Sequence, residues 1–596
     1  EGAGAQGIAQ NFTWDSKPAR LSALASTLEP KPGIDNVKLR FSVTRDADKA
    51  RDAVEIDLPV KPDRSPVRRY DIVEVAPGAT VNLPAAPADA RAGTYRRTLA
   101  IASDPAIVRL VAGLDALIEY PYGCTEQRIS LASAGVALKN FTPIMMSTGL
   151  DKRIALDVKN TQTAIDQAVD ADGLVAFWPR ARGNVSLTAW AYSFLVGAKR
   201  AGEPIDEKLA ERLAAVLKQS LRSDYPRLMT GEELRERVEA LIALTDGGRL
   251  DEAYVAELSR RADFMPNISV AEMTSAAART PNVHKRTVAQ LLDTMWSRVR
   301  IVSRNGQPAY GGQAADGGNP RILPSEARSL AEMTRAVALA APDDPRFPVL
   351  RDGLMRLGEG DGWGSTNATS AAVRALASAW RRPAKPIAVK VGQQNVTLDA
   401  NTPVVRVTSD ETGAMAIVNS GSEPVIALVD QRWEPAESGA KAQAFSNGFA
   451  ISRSMAKISA GAPPQKLVAD PAGALQTKVG DVIEETVEVV NPEDRTFVAI
   501  ALPLAAGFEP LNPNLATAPA EAQPSSAPTL APTWVSFGDD RVFYAYDSLP
   551  KGNYRFTYRM RAQTAGTFTQ PPGTIETMYQ KGLQGSSAGA QVVVTR

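Results

Sequence analysis

The only cysteine of the chain, Cys124, stands three residues before a glutamine in the run Tyr120-Pro121-Tyr122-Gly123-Cys124-Thr125-Glu126-Gln127. Pro121 and Gly123 are turn residues, and the spacing of Ile129, Ala132 and Val136 that follows predicts a helix beginning at or near Cys124. Positions three apart share a helix face, so the thiol and the side-chain amide of Gln127 can meet. If the sulfur displaces ammonia from that amide, the product is an internal thioester, an acyl donor stored within the protein. Water hydrolyses such a bond, which therefore requires a dry, shielded site until it is used. The same spacing also fits a buried structural cysteine beside an incidental glutamine, because cysteine packs as a small apolar residue. Two other constellations invite chemistry. The only histidine, His284 in Pro281-Asn282-Val283-His284-Lys285-Arg286, would make a cysteine-dependent hydrolase if it met Cys124 beside an oxyanion hole. Asp172 and Asp361 are a candidate carboxylate pair for an α/α-toroid carbohydrate-active enzyme, but each precedes a glycine and reads better as part of a turn.

The composition narrows the choice. One Cys and one His exclude an internal disulfide framework, cysteine-rich zinc sites and multi-histidine centres, so no metal and no cofactor are expected. Lys and Arg number 67 against 66 Asp and Glu, and a net charge of +1 gives no reason to expect a nucleic-acid partner. No uninterrupted apolar stretch approaches the ~20 residues that span a bilayer, so direct membrane insertion by this chain is not expected. The sequence opens at Glu1 without an initiating Met or the basic and apolar regions of a leader, and is read as a processed product or a piece of something longer.

At about 150 residues per domain, 596 residues imply about four domains to position the motif. From Asn36 to Val81 short alternating runs such as Val37-Leu39-Phe41-Val43 predict the strands of a sandwich. From Ser103 to Trp380 the period becomes helical: Leu209, Leu213, Val216 and Leu217 share one face, as do Leu234, Val238, Leu241 and Leu244, and Thr230 with Glu233 forms a capping box before the latter. Within that segment Asp172-Gly173, Phe177-Trp178 and Ser186-Leu187-Thr188-Ala189 are echoed by Asp361-Gly362-Trp363-Gly364-Ser365-Thr366-Asn367-Ala368-Thr369, which suggests stacked helical hairpins closed into a toroid. Strand patterns return after Arg381, so the helices interrupt a β-domain. A further β stretch runs to Arg596, with Phe497-Val498-Ala499-Ile500-Ala501-Leu502 and the alternating Tyr554–Met560 as strands and Pro513–Pro532 as a surface loop.

The run Gly-Cys-x-Glu-Gln resembles the thioester motif of the α2-macroglobulin and complement family, and Tyr-Pro-Tyr-Gly-Cys-x-Glu-Gln resembles its bacterial α2-macroglobulin branch. The helix starts at Leu187-Thr188-Ala189 and Ala368-Thr369 are similar to those of the family's thioester domain, and Asn491-Pro492-Glu493-Asp494-Arg495, Gly507-Phe508-Glu509-Pro510 and Glu576-Thr577-Met578-Tyr579 resemble its C-terminal domain. The resemblance implies a multidomain α and β protein: an α/α toroid thioester domain (103–382) inserted in a CUB- or macroglobulin-like β-domain (1–102 and 383–460), followed by a receptor-binding-like β-sandwich (461–596).

It further implies a protease inhibitor rather than an enzyme, in which Cys124 is the thiolate leaving group, Gln127 supplies the acyl carbon and a lysine amine of the target protease attacks. Gly123 and Glu126 complete the motif, and a carboxylate in a first helical turn suits the helix dipole. Tyr120 and Met578 are candidates to cover the thioester from the two sides of a domain interface. Some complement-type members pass the acyl group through a histidine; His284 does not align with that position and reads as a surface residue, so amines are the expected nucleophiles. No bait segment is recognisable, so N-terminal macroglobulin domains of the same protein are expected partners besides target proteases. Periplasmic residence, a role in host defence and a lipid anchor on the missing part are likewise implied only by the resemblance. A binding scaffold with a non-functional motif is the remaining alternative. The sequons at Asn184 and Asn367 read as chance matches.

Overall fold

The computed structural model describes residues 36–60, 63–120, 122–139, 141, 149–222, 233–279, 285–315, 323, 325–360, 362–377, 383 and 385–596. Thr230 of the expected capping box, His284 and Asp361 lie outside them.

Strands from before and after the helices share sheets. Arg96–Ala102 lies between Val404–Ser409 and Val425–Trp433, and Val67–Val75 completes that four-stranded sheet. Thr80–Leu83, Met415–Asn419, Ile387–Val391 and Gln394–Leu398 form a second. Leu99, Ile101, Val389, Ile417 and Val429 are buried in the core between the two. Apolar residues alternate along these strands where they face the core, as at Ile387, Val389 and Val391 and at Val425, Ala427 and Val429, which is what a sheet with one face on a core requires. The helical block is therefore an insertion into one β-domain. The hairpin Asn36–Thr44 with Arg51–Pro59 stands apart from it as a two-stranded ribbon, with Phe41 42 % exposed, so the early strands do not all belong to one sandwich.

The described helices are α1 (Pro105–Ile118), α2 (Thr125–Leu138), α3 (Ile154–Gln167), α4 (Val185–Arg200), α5 (Glu207–Ser220), α6 (Glu233–Asp246), α7 (Glu252–Ser259), α8 (Asn267–Ala278), α9 (Lys285–Ser297), α10 (Glu326–Ala340), α11 (Phe347–Leu357) and α12 (Thr366–Ala377). Even-numbered helices pack each on the next, and α12 packs back on α2, which closes an inner ring; odd-numbered helices lie outside it. The sequences of the two rings differ accordingly. Inner α8 is rich in Ala, Ser and Thr, and eleven of its twelve residues are buried, because small side chains let ring helices approach on two flanks. Outer α5 buries only the stripe through Leu209, Leu213, Val216 and Leu217. A hairpin, Val299–Arg304 with Gln307–Gln313, interrupts the helices and was missed by the helical reading. Asn305-Gly306 at its tip, both with positive φ, is the turn signal that marks it.

The C-terminal β-sandwich packs a six-stranded sheet on a five-stranded one. Ile483, Val487 and Val489 face Val498, Ile500 and Leu502 across its core, and Phe556, Tyr558 and Met560 join them. Ala450–Ile458 pairs with Val482–Asn491, so this strand belongs to the sandwich, not to the split β-domain in which the sequence reading ended it at 460. Strand Arg495–Pro503 is buried on both faces: Phe497, Ala499 and Ala501 turn away from the sandwich core and merge with the core of the helical ring. That second burial is why its sequence is continuously apolar instead of alternating.

Candidate acyl-transfer site at the domain interface

Cys124 is the N-cap of α2, extended at φ −64° and ψ 165°. Thr125 fixes the first turn, its backbone N–H and hydroxyl both donating to the Phe177 carbonyl, at 3.0 and 3.1 Å. With the helix thus started, Gln127 is the N3 residue, and its carboxamide oxygen turns back to accept from the Cys124 N–H at 3.1 Å. The backbone N–H groups of Glu126 and Gln127 in turn face the sulfur. This is the reciprocal geometry of a capping box, with thiol and carboxamide as its two side chains. A carbonyl whose oxygen already accepts a main-chain N–H is prepared for the negative charge that sulfur attack would place on it.

The site is closed. Cys124 is 1 % exposed, Glu126 0 %, and Gln127 and Met578 4 % each. Burial, with the neighbouring Glu126 carboxylate, pushes the Cys124 thiol up to about 12. At neutral pH only about one thiol in 10⁵ would then be thiolate, so attack on Gln127 needs a group that takes the proton as the bond forms. The Tyr579 hydroxyl is placed for that, 3.5 Å from Cys124 Sγ and donating to Glu126 Oε2 at 2.7 Å. Glu126 also accepts from the hydroxyls of Ser130 and Thr366, the latter at 2.9 Å. Burial raises its pKa, which brings its proton affinity closer to neutral pH. Its place in the first turn suits the helix dipole as expected, but its contacts are three hydroxyls at the floor of the site.

The lid comes from the other domain. Tyr120 donates its hydroxyl to the Met578 carbonyl at 2.8 Å, and the Met578 sulfur receives the Gln127 amide N–H₂ at 3.7 Å. Met578 is itself held by its N–H to the Phe497 carbonyl, 2.8 Å away. Phe497 has φ +52°, a left-handed backbone rarely adopted by a buried aromatic and most often retained at functional sites. Its ring lies 4.6 Å from Phe177 and 5.1 Å, edge-on, from Tyr579. Further along the seam Trp178 stacks on Trp534 at 6.2 Å and Tyr122 meets Phe543 at 5.4 Å. Outside this apolar wall a cleft of about 630 Å³ reaches Gly123, whose carbonyl accepts from Arg128 Nε at 2.8 Å.

The structure thus brings Tyr120, Cys124, Glu126, Gln127 and Met578 together and leaves Gly123 at the exposed rim. Asp172 sits in an exposed turn beside Gly173 at φ +83°, away from Cys124. Asn184 caps α4 and Asn367 is buried, so neither sequon is presented for glycosylation. The two echoed phrases flank the site: they open α4 and α12, the neighbours of α2 in the ring. Thr188 accepts from the Val175 N–H at 2.8 Å, and Thr369 from the Trp363 N–H at 3.0 Å, so one device starts both helices. Sequence reasoning missed Tyr579, Phe497, Phe177 and Thr366 as site residues; Tyr579 directly follows Met578, and Thr366 lies in the second phrase.

Residues 448–581 match the family profile described as the bacterial alpha-2-macroglobulin MG10 domain. Salmonella α2-macroglobulin, in a crystal structure described as reacted with methylamine, is similar over 94 % of this chain and 36 % of its own, at TM-score 0.76 and 18 % identity. Native E. coli α2-macroglobulin from domain MG7 to the C-terminus is similar over 94 % of this chain and 88 % of its own, at TM-score 0.75 and 17 % identity. The chain spans about a third of the length of the Salmonella protein. No curated protein matches the sequence.

Proposed function

We propose that this chain, which carries a bacterial α2-macroglobulin MG10 domain at residues 448–581 and the fold of the C-terminal region of α2-macroglobulin, is the trapping part of a protease inhibitor armed with a Cys124–Gln127 thioester. The observation that carries the reading is the reciprocal pairing of thiol and carboxamide at the start of α2, sealed by Tyr120 and Met578. Formation balances as Cys124 sulfur bonding to the Gln127 acyl carbon while the amide nitrogen leaves as ammonia, carrying away the thiol proton. Discharge balances as a protease lysine nitrogen bonding to that carbon while Cys124 leaves as the thiol. Each molecule reacts once, so the protein is consumed and is not an enzyme. The remaining N-terminal macroglobulin domains would carry the bait, and the assembly would act in the periplasm as a defence against host proteases.

A domain seam suits this task better than a core. Release of the bond then requires only a rigid shift of the sandwich off the helical ring, whereas a bond inside one packed core is freed only by disrupting that core. The reading is tested by treating the chain with methylamine. One methylamide is expected at Gln127 together with one newly titratable thiol, and neither is expected in Cys124→Ser. His284→Ala is expected to react as the parent does; loss of reaction in that variant would favour histidine-dependent chemistry, and no adduct in the parent would contradict a usable thioester.

A further inference from the structure

The six inner helices surround a half-open axial cavity of about 380 Å³, separate from the seam that covers Cys124. Its wall is charged where a ring of packed helices would ordinarily be apolar. Most of the charge is paired: Arg328 meets Glu239 at 3.1 Å, Arg335 meets Glu332 at 2.8 Å, and Arg279 pairs with Asp246. Two groups are left over. Arg374 of α12 has no hydrogen bond or ion pair among the described residues, and the nearby Arg335, together with burial, lowers its pKa to about 10. Glu272 is buried with Oε2 unpartnered, and burial beside Glu239 raises its pKa well above the usual carboxylate range, towards the neutral form. The Arg374 guanidinium, with no direct partner among the described residues and with Glu332 and Asp246 acting on it only through space, therefore lies in a half-open, protein-walled cavity, where a counter-anion is worth more than at the open surface.

The same wall carries further unmet polar atoms. Trp190 Nε1 and Arg328 Nη1 are donors without acceptors, and Glu239 Oε2 and Asn367 Oδ1 are acceptors without donors. These atoms have almost no accessible surface of their own, so they lie behind the cavity wall and an occupant does not reach them without a side-chain shift. The volume is that of a small-molecule site.

We propose that the axial cavity binds a small oxyanion, a phosphate or a carboxylate, whose anionic group pairs with Arg374. The proposal does not rest on the thioester, and its test reads binding alone. Calorimetric titration of the full chain is carried out with citrate, glucose 6-phosphate, inorganic phosphate and glucose as separate probes. At least one of the three anions is expected to bind one to one, with glucose inert. Arg374→Gln is expected to weaken binding at least tenfold with little change in melting temperature, since it removes a cation with no hydrogen bond or ion pair among the described residues. No binding of any of the three anions at millimolar concentration, or binding that Arg374→Gln leaves intact, would overturn the proposal and make the cavity a solvent-filled one.

Discussion

Tyr579→Phe is expected to slow closure of the Cys124–Gln127 bond by about a hundredfold, the low end of what a positioned proton-transfer group contributes. The variant keeps the ring, so its edge-on contact with Phe497 and its contact with Phe177 survive. It loses the one hydroxyl that touches both Cys124 Sγ and Glu126. With the thiol pushed up to about 12, removing its proton is the costly part of the attack, and among the described residues nothing else hydrogen-bonded to the sulfur accepts a proton: the remaining contacts are backbone N–H donors. The check is the rate at which titratable thiol disappears after refolding. A rate equal to the parent's would show that Tyr579 only packs, and a lowered melting temperature in step with the rate would show that the variant had damaged the seam.

Opening the lid is expected to act in the other direction. Tyr120→Phe deletes a hydrogen bond across the seam worth about 1 kcal/mol, which raises the open fraction about fivefold. Met578→Ala removes a buried side chain from over Gln127, and even about 2 kcal/mol, the low end for such a truncation, corresponds to more than tenfold. Tyr120→Gly combines loss of the hydroxyl with loss of the ring that packs edge-on against Tyr122 at 5.7 Å. Each variant should therefore lose its thioester to methylamine or water faster than the parent, while the melting of the helical ring changes little, because these side chains lie at the boundary between two cores. Lifetimes equal to the parent's in both Met578→Ala and Tyr120→Gly would remove the lid from the account.

The sequence reading reached the parts of this arrangement that depend on local periodicity. A continuous apolar run marked Phe497–Leu502 and alternation marked Tyr554–Met560 as strands, the Leu209 stripe marked an outer helix, and a helical block between β stretches implied an insertion. Of the inner helices, α2 was read from Ile129, Ala132 and Val136 and α6 from the Leu234 stripe, whereas α8 and α12, each with eleven of twelve residues buried, expose almost no polar face to mark them. The strand Ala450–Ile458 was assigned to the wrong sheet because periodicity says that a strand exists but not with what it pairs. Cys124, Gln127, Tyr120 and Met578 were named from the motif and the family resemblance. Tyr579 and Thr366 were not, because their hydroxyls matter only through Glu126, and contacts across 453 and 240 residues leave no local signature. The charged axial cavity escaped notice for the same reason: Glu239, Glu272 and Arg374 each read as one polar residue on a helix, and only ring closure turns them toward one another.

The central claim is a covalent bond, and the intact mass of the freshly folded chain tests it most directly. The account predicts a mass lower by one ammonia than the sequence requires, with no thiol titratable in denaturant. A mass equal to that of the sequence, with Cys124 free and Gln127 still an amide, would contradict it.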